Sequence, residues 1–254
     1  MRYHSGTMPD WERFPKAPIS EAILDIEVKF ASPVELARLE AFQELIHDRY
    51  PMKSNRAKWQ GRVEVQEERV AQEVSRGAQG FMFRSPDGIK VVQVRQDGFT
   101  FNWLKRYESW EALRDEAQSQ WERYRGTFQP RAVSRLGLRY VNRIELPLPI
   151  PDFSEYIKTI PEIAPGIPQG LIGLFMRLEI PDEARNLVGI ITETIEMPVA
   201  ESKRLPFIFD IDIISGGTFE PSSLSVWETF EQMREYKNEI FFASVTEKAK
   251  ELFR

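Results

Sequence analysis

Cysteine is absent from the 254 residues, and histidine occurs only twice, at His4 and His47. Without thiols there is no disulfide framework, no thiolate nucleophile and no cysteine-ligated zinc or iron–sulfur cluster. His4 lies in a polar N-terminal stretch and His47 beside the apolar stripe of an expected helix, so both read as solvated surface groups. Chemistry built on Ser–His, Cys–His or paired-histidine metal sites is therefore not expected. No apolar run approaches the ~18–20 residues of a membrane span. The opening "MRYHSGTMPDW" lacks a basic segment followed by an apolar one. A soluble, cytoplasmic protein is the expectation. The phosphate-cradling patterns GxxxxGK[ST] and GxGxxG are missing, as are HExxH and GxSxG. "SGG" at 215–217 has no following lysine and reads as a turn or bulge. A basic excess is missing too. The net charge of −5 argues against non-specific nucleic-acid binding, which rests on phosphate contacts, although a local basic groove is compatible with it.

What the chain has in quantity is large apolar volume, with 17 Phe, 6 Trp and 7 Tyr to fill a core. "PISEAILDIEVKF" at 18–30 alternates strictly, with Ala22, Leu24, Ile26 and Val28 on one side and Glu21, Ile23, Asp25 and Glu27 on the other. That is strand periodicity. "SPVE" then predicts a helix with Ser32 as N-cap and Pro33 at its first position. Leu39, Phe42, Ile46 and Tyr50 form its buried side, and Pro51 stops it. Strands are expected at "GRVEVQEERV", "GFMFRS", "IKVVQVRQ" and "GFTFNWLK", with the turn signals "SPDG" and "QDG" between them. "ESWEALRDEAQSQWERYR" is helical, carrying Trp110, Leu113, Ala117, Trp121 and Tyr124 on one face.

The second half repeats this order. A strand at 133–146 precedes a short helix at "PDFSEYIKTI" and strands near 171–180, 187–197 and 206–214. A long helix follows, with Ser225 and Glu228 as a capping box, and then a short helix from Thr246. The two long helices open alike, "SWEAL" at 109–113 and "VWETF" at 226–230. We expect one compact domain over 1–254, with an internal pseudo-repeat over about 18–126 and 133–242. Its class is α+β, a twisted and mainly antiparallel sheet with helices on one face. It comprises two fused strand–helix–strands–helix units, an element order like that of TATA-binding-protein-like and helix-grip folds. The proline-interrupted segment 1–14 is expected to be extended or irregular, with Trp11 and Phe14 docking on the body.

"SRLGLRYVNRIELP" at 134–147 sets Arg135, Arg139 and Arg143 on one face of a strand. If this strand lies beside the first, the arginines share a helix-free face with Glu21, Asp25 and Glu27. Cross-strand pairing neutralises them in part, and the remaining guanidinium donors suit an anionic or polypeptide partner. Those six residues are the candidate ligand-binding set. Asp210 and Asp212 of "FDID" stand about 6.5–7 Å apart on one strand face and are the candidates for a metal site. The wet face of any half-exposed sheet carries acids at the same spacing.

"APISEAILDIEVKF", "RLGLRYVNRIELP" and "FFASVTEKAKELF" together resemble a sporadically distributed prokaryotic family of uncharacterised proteins of similar length. "LRYVN" at 138–142 is the most specific part. The resemblance implies no activity, cofactor or catalytic residue. Its sporadic distribution implies carriage on mobile elements or in defence and toxin–antitoxin loci. Of three functional readings, the first is the one expected and the others are its alternatives. The first is a non-enzymatic binding module using the charged sheet face, with another protein or an anionic ligand as partner and no cofactor. The second is a metal-dependent phosphoryl-transfer enzyme or nuclease using Asp210, Asp212, Asp25 and Glu27. The third is a nucleic-acid binder using the arginine row.

Overall fold

A computed structural model of the chain describes residues 11–66, 69–168, 170–197 and 201–254, the side chains of 57–78 excepted. In chain order the elements are β1 (Ile19–Lys29), α1 (Leu36–Ala41), α2 (Gln43–Ile46), β2 (Met52–Gln66), β3 (Arg69–Arg84), β4 (Lys90–Arg95) and β5 (Gly98–Leu104). There follow α3 (Trp110–Phe128), β6 (Ala132–Pro147), β7 (Phe175–Asp182), β8 (Leu187–Ile195), β9 (Arg204–Phe219), α4 (Ser225–Ser244) and α5 (Glu247–Glu251). A single 3-10 turn, Phe153–Glu155, is what forms where a short helix was expected after β6. The strands make one open antiparallel sheet in the order β2-β3-β4-β5-β1-β6-β9-β8-β7. The α+β class with helices on one face is as expected. No helix among the described residues is long and apolar enough to cross a membrane.

Period-two patterning explains the layering. Leu24 of β1 pairs with Phe101 on one side and Leu138 on the other, and Leu138 pairs with Ile213, so one row of apolar side chains crosses the sheet. These residues are fully buried. The helices lie on them: Trp121 and Tyr124 of α3 stand 6.0 and 5.6 Å from the Phe99 ring, and Phe241 of α4 stands 6.2 Å from Phe209. Gly189 of β8 lets α4 pack close, since an added Cβ there would lie 2.8 Å from the Ile240 side-chain end and 3.1 Å from the Tyr236 ring and make both shift. The opposite face carries the charges.

The strand orders of the two halves run alike outward from the centre, except that the first half has one strand more. The first strand of each half pairs with its last, β1 with β5 and β6 with β9, and the others follow outward as β4-β3-β2 and β8-β7. The two first strands lie side by side, antiparallel, in the middle. Trp110 and Trp227, at the starts of α3 and α4, are both buried.

Other local expectations also differ from the structure, and the helix expected to run to Tyr50 is two short ones, α1 and α2, parted at Phe42. The first helix begins at Leu36 with Glu35 as cap, not at Ser32–Pro33. Segment 32–35 is instead irregular, burying Val34, whose carbonyl accepts from Gln96 Nε2 at 2.9 Å. At α4 the cap is Leu224, with Ser225 already helical. Ser223 takes over the role given to Ser225, accepting from the Ser225 N–H at 3.1 Å. The stretch "GRVEVQEERV" is not one strand, since β2 ends at Gln66 and β3 begins at Arg69, residues 67 and 68 lying outside those described.

Candidate functional site

The arginine row stands on the helix-free face, as the strand pattern requires. Along β6, Arg135 lies opposite Glu27, and Arg139 lies between Ile23 and Asp212. Each guanidinium already has a carboxylate. Arg135 Nη1 donates to Asp25 at 3.4 Å and to Glu27 at 3.2 Å. Its guanidinium folds over Gly137, where an added Cβ would lie 3.6 Å from Nη1. Arg139 holds Asp210, and Arg143 pairs with Glu145 at 2.9 Å and with Glu196.

A fourth arginine, which the sequence reading missed, anchors the network. Arg95 of β4 is buried and donates to Asp25 at 2.5 Å and to Asp97 at 2.9 Å, while Thr100 donates to Asp25 at 2.6 Å. Burial opposes the charge on Arg95, but Asp25 and Asp97 outweigh it and raise its pKa. Glu21 makes no ion pair with the row; Asn102 donates to it at 2.7 Å, and its charge still acts on Arg139. Among the described residues, Asp212 accepts no hydrogen bond. Burial raises its pKa, with Arg135 and Arg139 pulling the other way.

The face is thus a mosaic in which all three arginines of the row are paired with carboxylates while Asp212 is left without a hydrogen bond among the described residues. Asp210 and Asp212 share the face as expected, but Asp210 is spent on Arg139. No group of three or more His, Asp or Glu among the described residues is placed to hold a metal ion.

A second site lies at the end of the sheet where β1 begins. Residues 11–18 cross it as a strap. Trp11 stacks on Phe242 of α4, ring centres 4.9 Å apart, and donates Nε1 to Glu235 at 2.8 Å. Phe14 meets Phe253 edge-on at 5.5 Å, and the Lys16 N–H bonds to the Phe253 carbonyl at 2.9 Å. Between strap and body is a cavity of about 770 Å³. Eight basic side chains and four acidic ones line it, beside the aromatic rings of the strap, α4 and the approach to α3. Its rim reaches Arg143, so the arginine row and the cavity meet there.

Lys237 of α4 is the most distinctive group in its wall. Nζ donates to Asn238 Oδ1 at 2.5 Å and lies 4.2 Å from the centre of the Tyr140 ring. Tyr140 in turn shares a 3.0 Å hydrogen bond with Tyr107. Burial, and then the neighbouring Arg234, push the Lys237 pKa down to about 7, with Glu235 opposing. Burial likewise raises the pKa of both tyrosines. The result is an amine that changes charge near neutrality inside a cavity rich in cations and rings.

Sequence reasoning passed over Lys237, yet a signal was present. Val226, Phe230, Met233, Lys237, Ile240 and Ser244 fall at helical spacing, so the lysine interrupts an apolar stripe. No known family model matches this chain, and no curated protein matches it.

Proposed function

We propose that the protein is a non-enzymatic binding module that takes a small anionic ligand with an apolar body into the strap-covered cavity. The observation that carries this reading is Lys237, an amine of lowered pKa in the wall of a cavity whose lining is two-thirds basic among its charged groups. A volume of about 770 Å³ falls within the range of small-molecule sites, which are concave and largely apolar with a few placed polar groups. Arginine and lysine supply the donors that carboxylate and phosphate accept. Aromatic walls from Trp11, Trp110 and Phe242 suit a ring or hydrocarbon body.

Isothermal titration with phenyl phosphate, benzoate and inorganic phosphate, against benzamide as neutral control, tests the reading. Saturable binding of an aromatic anion, weakened at least tenfold by Lys237→Met, is expected. Absence of binding by all three anions at millimolar concentration, or equal binding of benzamide, would overturn it.

The charged sheet face supports a second reading, a docking surface for another protein. Asp212 there has no hydrogen-bonded partner among the described residues, and Arg139 keeps 46% of its side chain exposed. A partner offering one donor to Asp212 and one acceptor to Arg139 would use both. A carrier locus of the defence or toxin–antitoxin kind fits such a module. The metal-dependent reading has no support in the placement of Asp210, which Arg139 occupies.

A further inference from the structure

β7 forms one edge of the sheet, and it carries exposed apolar side chains that its neighbours do not cover. Phe175 is 74% exposed. Just beyond the paired ends of β7 and β8, Ile172 and Met197 are 96% and 84% exposed. An edge strand with bare backbone groups is a template for another strand. Soluble proteins commonly blunt such an edge with charge and proline, and Arg177, Glu179 and Pro181 occur here. Their order along the strand, however, is self-complementary.

The directions of the backbone groups follow from two contacts. Ile195 N–H bonds to the Leu174 carbonyl at 3.2 Å, so even-numbered residues of this strand turn their polar groups toward β8. The Ile180 carbonyl fits this alternation, since it takes a 3.0 Å hydrogen bond from Tyr236, whose ring lies over Gly189 of β8. Odd-numbered residues, Phe175, Arg177 and Glu179, therefore turn theirs outward.

We infer that β7 pairs antiparallel with β7 of a second copy of this chain, about a dyad at Leu178, extending the sheet across two molecules. In this register Arg177 faces Glu179 of the other copy twice over. Met176 faces Ile180, Leu178 faces Leu178, and Phe175 faces Pro181. From residue 175 to 181, every facing pair is apolar with apolar or cation with anion; Asp182, which Arg185 holds, falls outside this stretch. Moving the dyad by one residue sets Arg177 against itself or Glu179 against itself, and like charges directly opposite are destabilising. Pro181 lacks an N–H, so each outer pair keeps one hydrogen bond and each Arg177–Glu179 pair keeps two.

Charge reversal on the full-length protein tests the pairing, read by sedimentation equilibrium with circular dichroism to confirm folding. The wild type is expected as a dimer. Arg177→Glu and Glu179→Arg singly should each weaken dimerisation roughly tenfold or more, since each creates two like-charge pairs. The double variant Arg177→Glu/Glu179→Arg exchanges the charges and should restore the dimer. A monomeric wild type at ~100 µM, far above working concentrations for a stable homodimer, would overturn the inference. So would a dimer indifferent to both single reversals, or a double variant no better than the singles.

Discussion

Arg139 and Asp210 are locked side by side: Nε of the arginine donates to both carboxylate oxygens, at 2.9 and 3.0 Å, and Nη2 to one of them at 2.5 Å. The two partners are unequally placed. Asp210 keeps 10% of its side chain exposed and Arg139 keeps 46%. Removing Arg139 strands a buried carboxylate beside Asp212, whereas removing Asp210 leaves a guanidinium that water can reach. Arg139→Ala should therefore cost about 2 kcal/mol, and Asp210→Ala clearly less. Urea unfolding of the two variants measures the difference. Equal losses would show that the pair's energy is not governed by this asymmetry of burial.

The charged face was legible because period two is a strict rule wherever one face of a strand is buried. Leu136, Leu138, Tyr140 and Ile144 pack under the helices, so Arg135, Arg139 and Arg143 have to point away from them. Local pattern carries no information about which charge meets which. Asp25 meets Arg95 because β5 folds β4 back within reach, a relationship set by the order of strands and not by their letters. The cavity was still less accessible to sequence reading. It exists because Trp11 and Phe14, in a segment without periodicity, lie across α4 and the chain's last residues. Helix starts failed for a related reason, as packing of Val34 overrides the Ser32–Pro33 signal.

Glu193 of β8 breaks an apolar alternation, Leu187, Gly189, Ile191, Glu193, and faces the helices. It is fully buried, and among the described residues neither carboxylate oxygen has a hydrogen-bond partner. Burial alone raises its pKa from an ordinary 4.5 to about 7. Below pH 4.5 it is protonated in both folded and unfolded chains. Between pH 4.5 and 7 the unfolded chain releases this proton and the folded one keeps it, so stability falls as pH rises. Above pH 7 the deficit levels off at about 3 kcal/mol. Glu193→Met should remove it. Relative to wild type, the variant should gain more stability at pH 8 than at pH 5, as read from chemical denaturation at each pH. A gain independent of pH would show that the carboxylate ionises freely.

Trp11 ties the strap to the body through one ring stack and one hydrogen bond. Trp11→Ala should cost about 2 kcal/mol, a fall in melting temperature of roughly 4–8 °C for a chain of this size. The same variant should weaken ligand binding, because it removes part of the cavity's cover. Trp11→Phe keeps the stack and loses the donor to Glu235, and should fall between the two. A melting temperature unchanged in Trp11→Ala would mean that the strap contributes nothing to folding.

If the cavity takes an anion as proposed, Lys237 makes its binding a protonation event. The free amine, with its pKa near 7, is mostly neutral at pH 8. Arg234 and Glu235 beside it on α4 act on it most directly, the Tyr140 ring of β6 lies against it with Tyr107 bonded behind, and Lys105, Arg106, Glu111, Arg143, Glu145 and Arg204 line the same cavity. An anion in the cavity favours the ammonium and raises that pKa, so binding at pH 8 should take up close to one proton. Stability without ligand should show the same group from the other side. Because the folded pKa lies below the ordinary 10.5, the unfolded chain holds the extra proton between pH 7 and 10.5. Stability should rise with pH across that window. Titration calorimetry with phenyl phosphate in phosphate-free buffers of different ionisation enthalpy gives the proton count directly. A slope near one in the wild type and near zero in Lys237→Arg, which keeps a permanent charge, is the expected pair of results. A wild-type slope of zero, with binding intact, would place the anion away from Lys237.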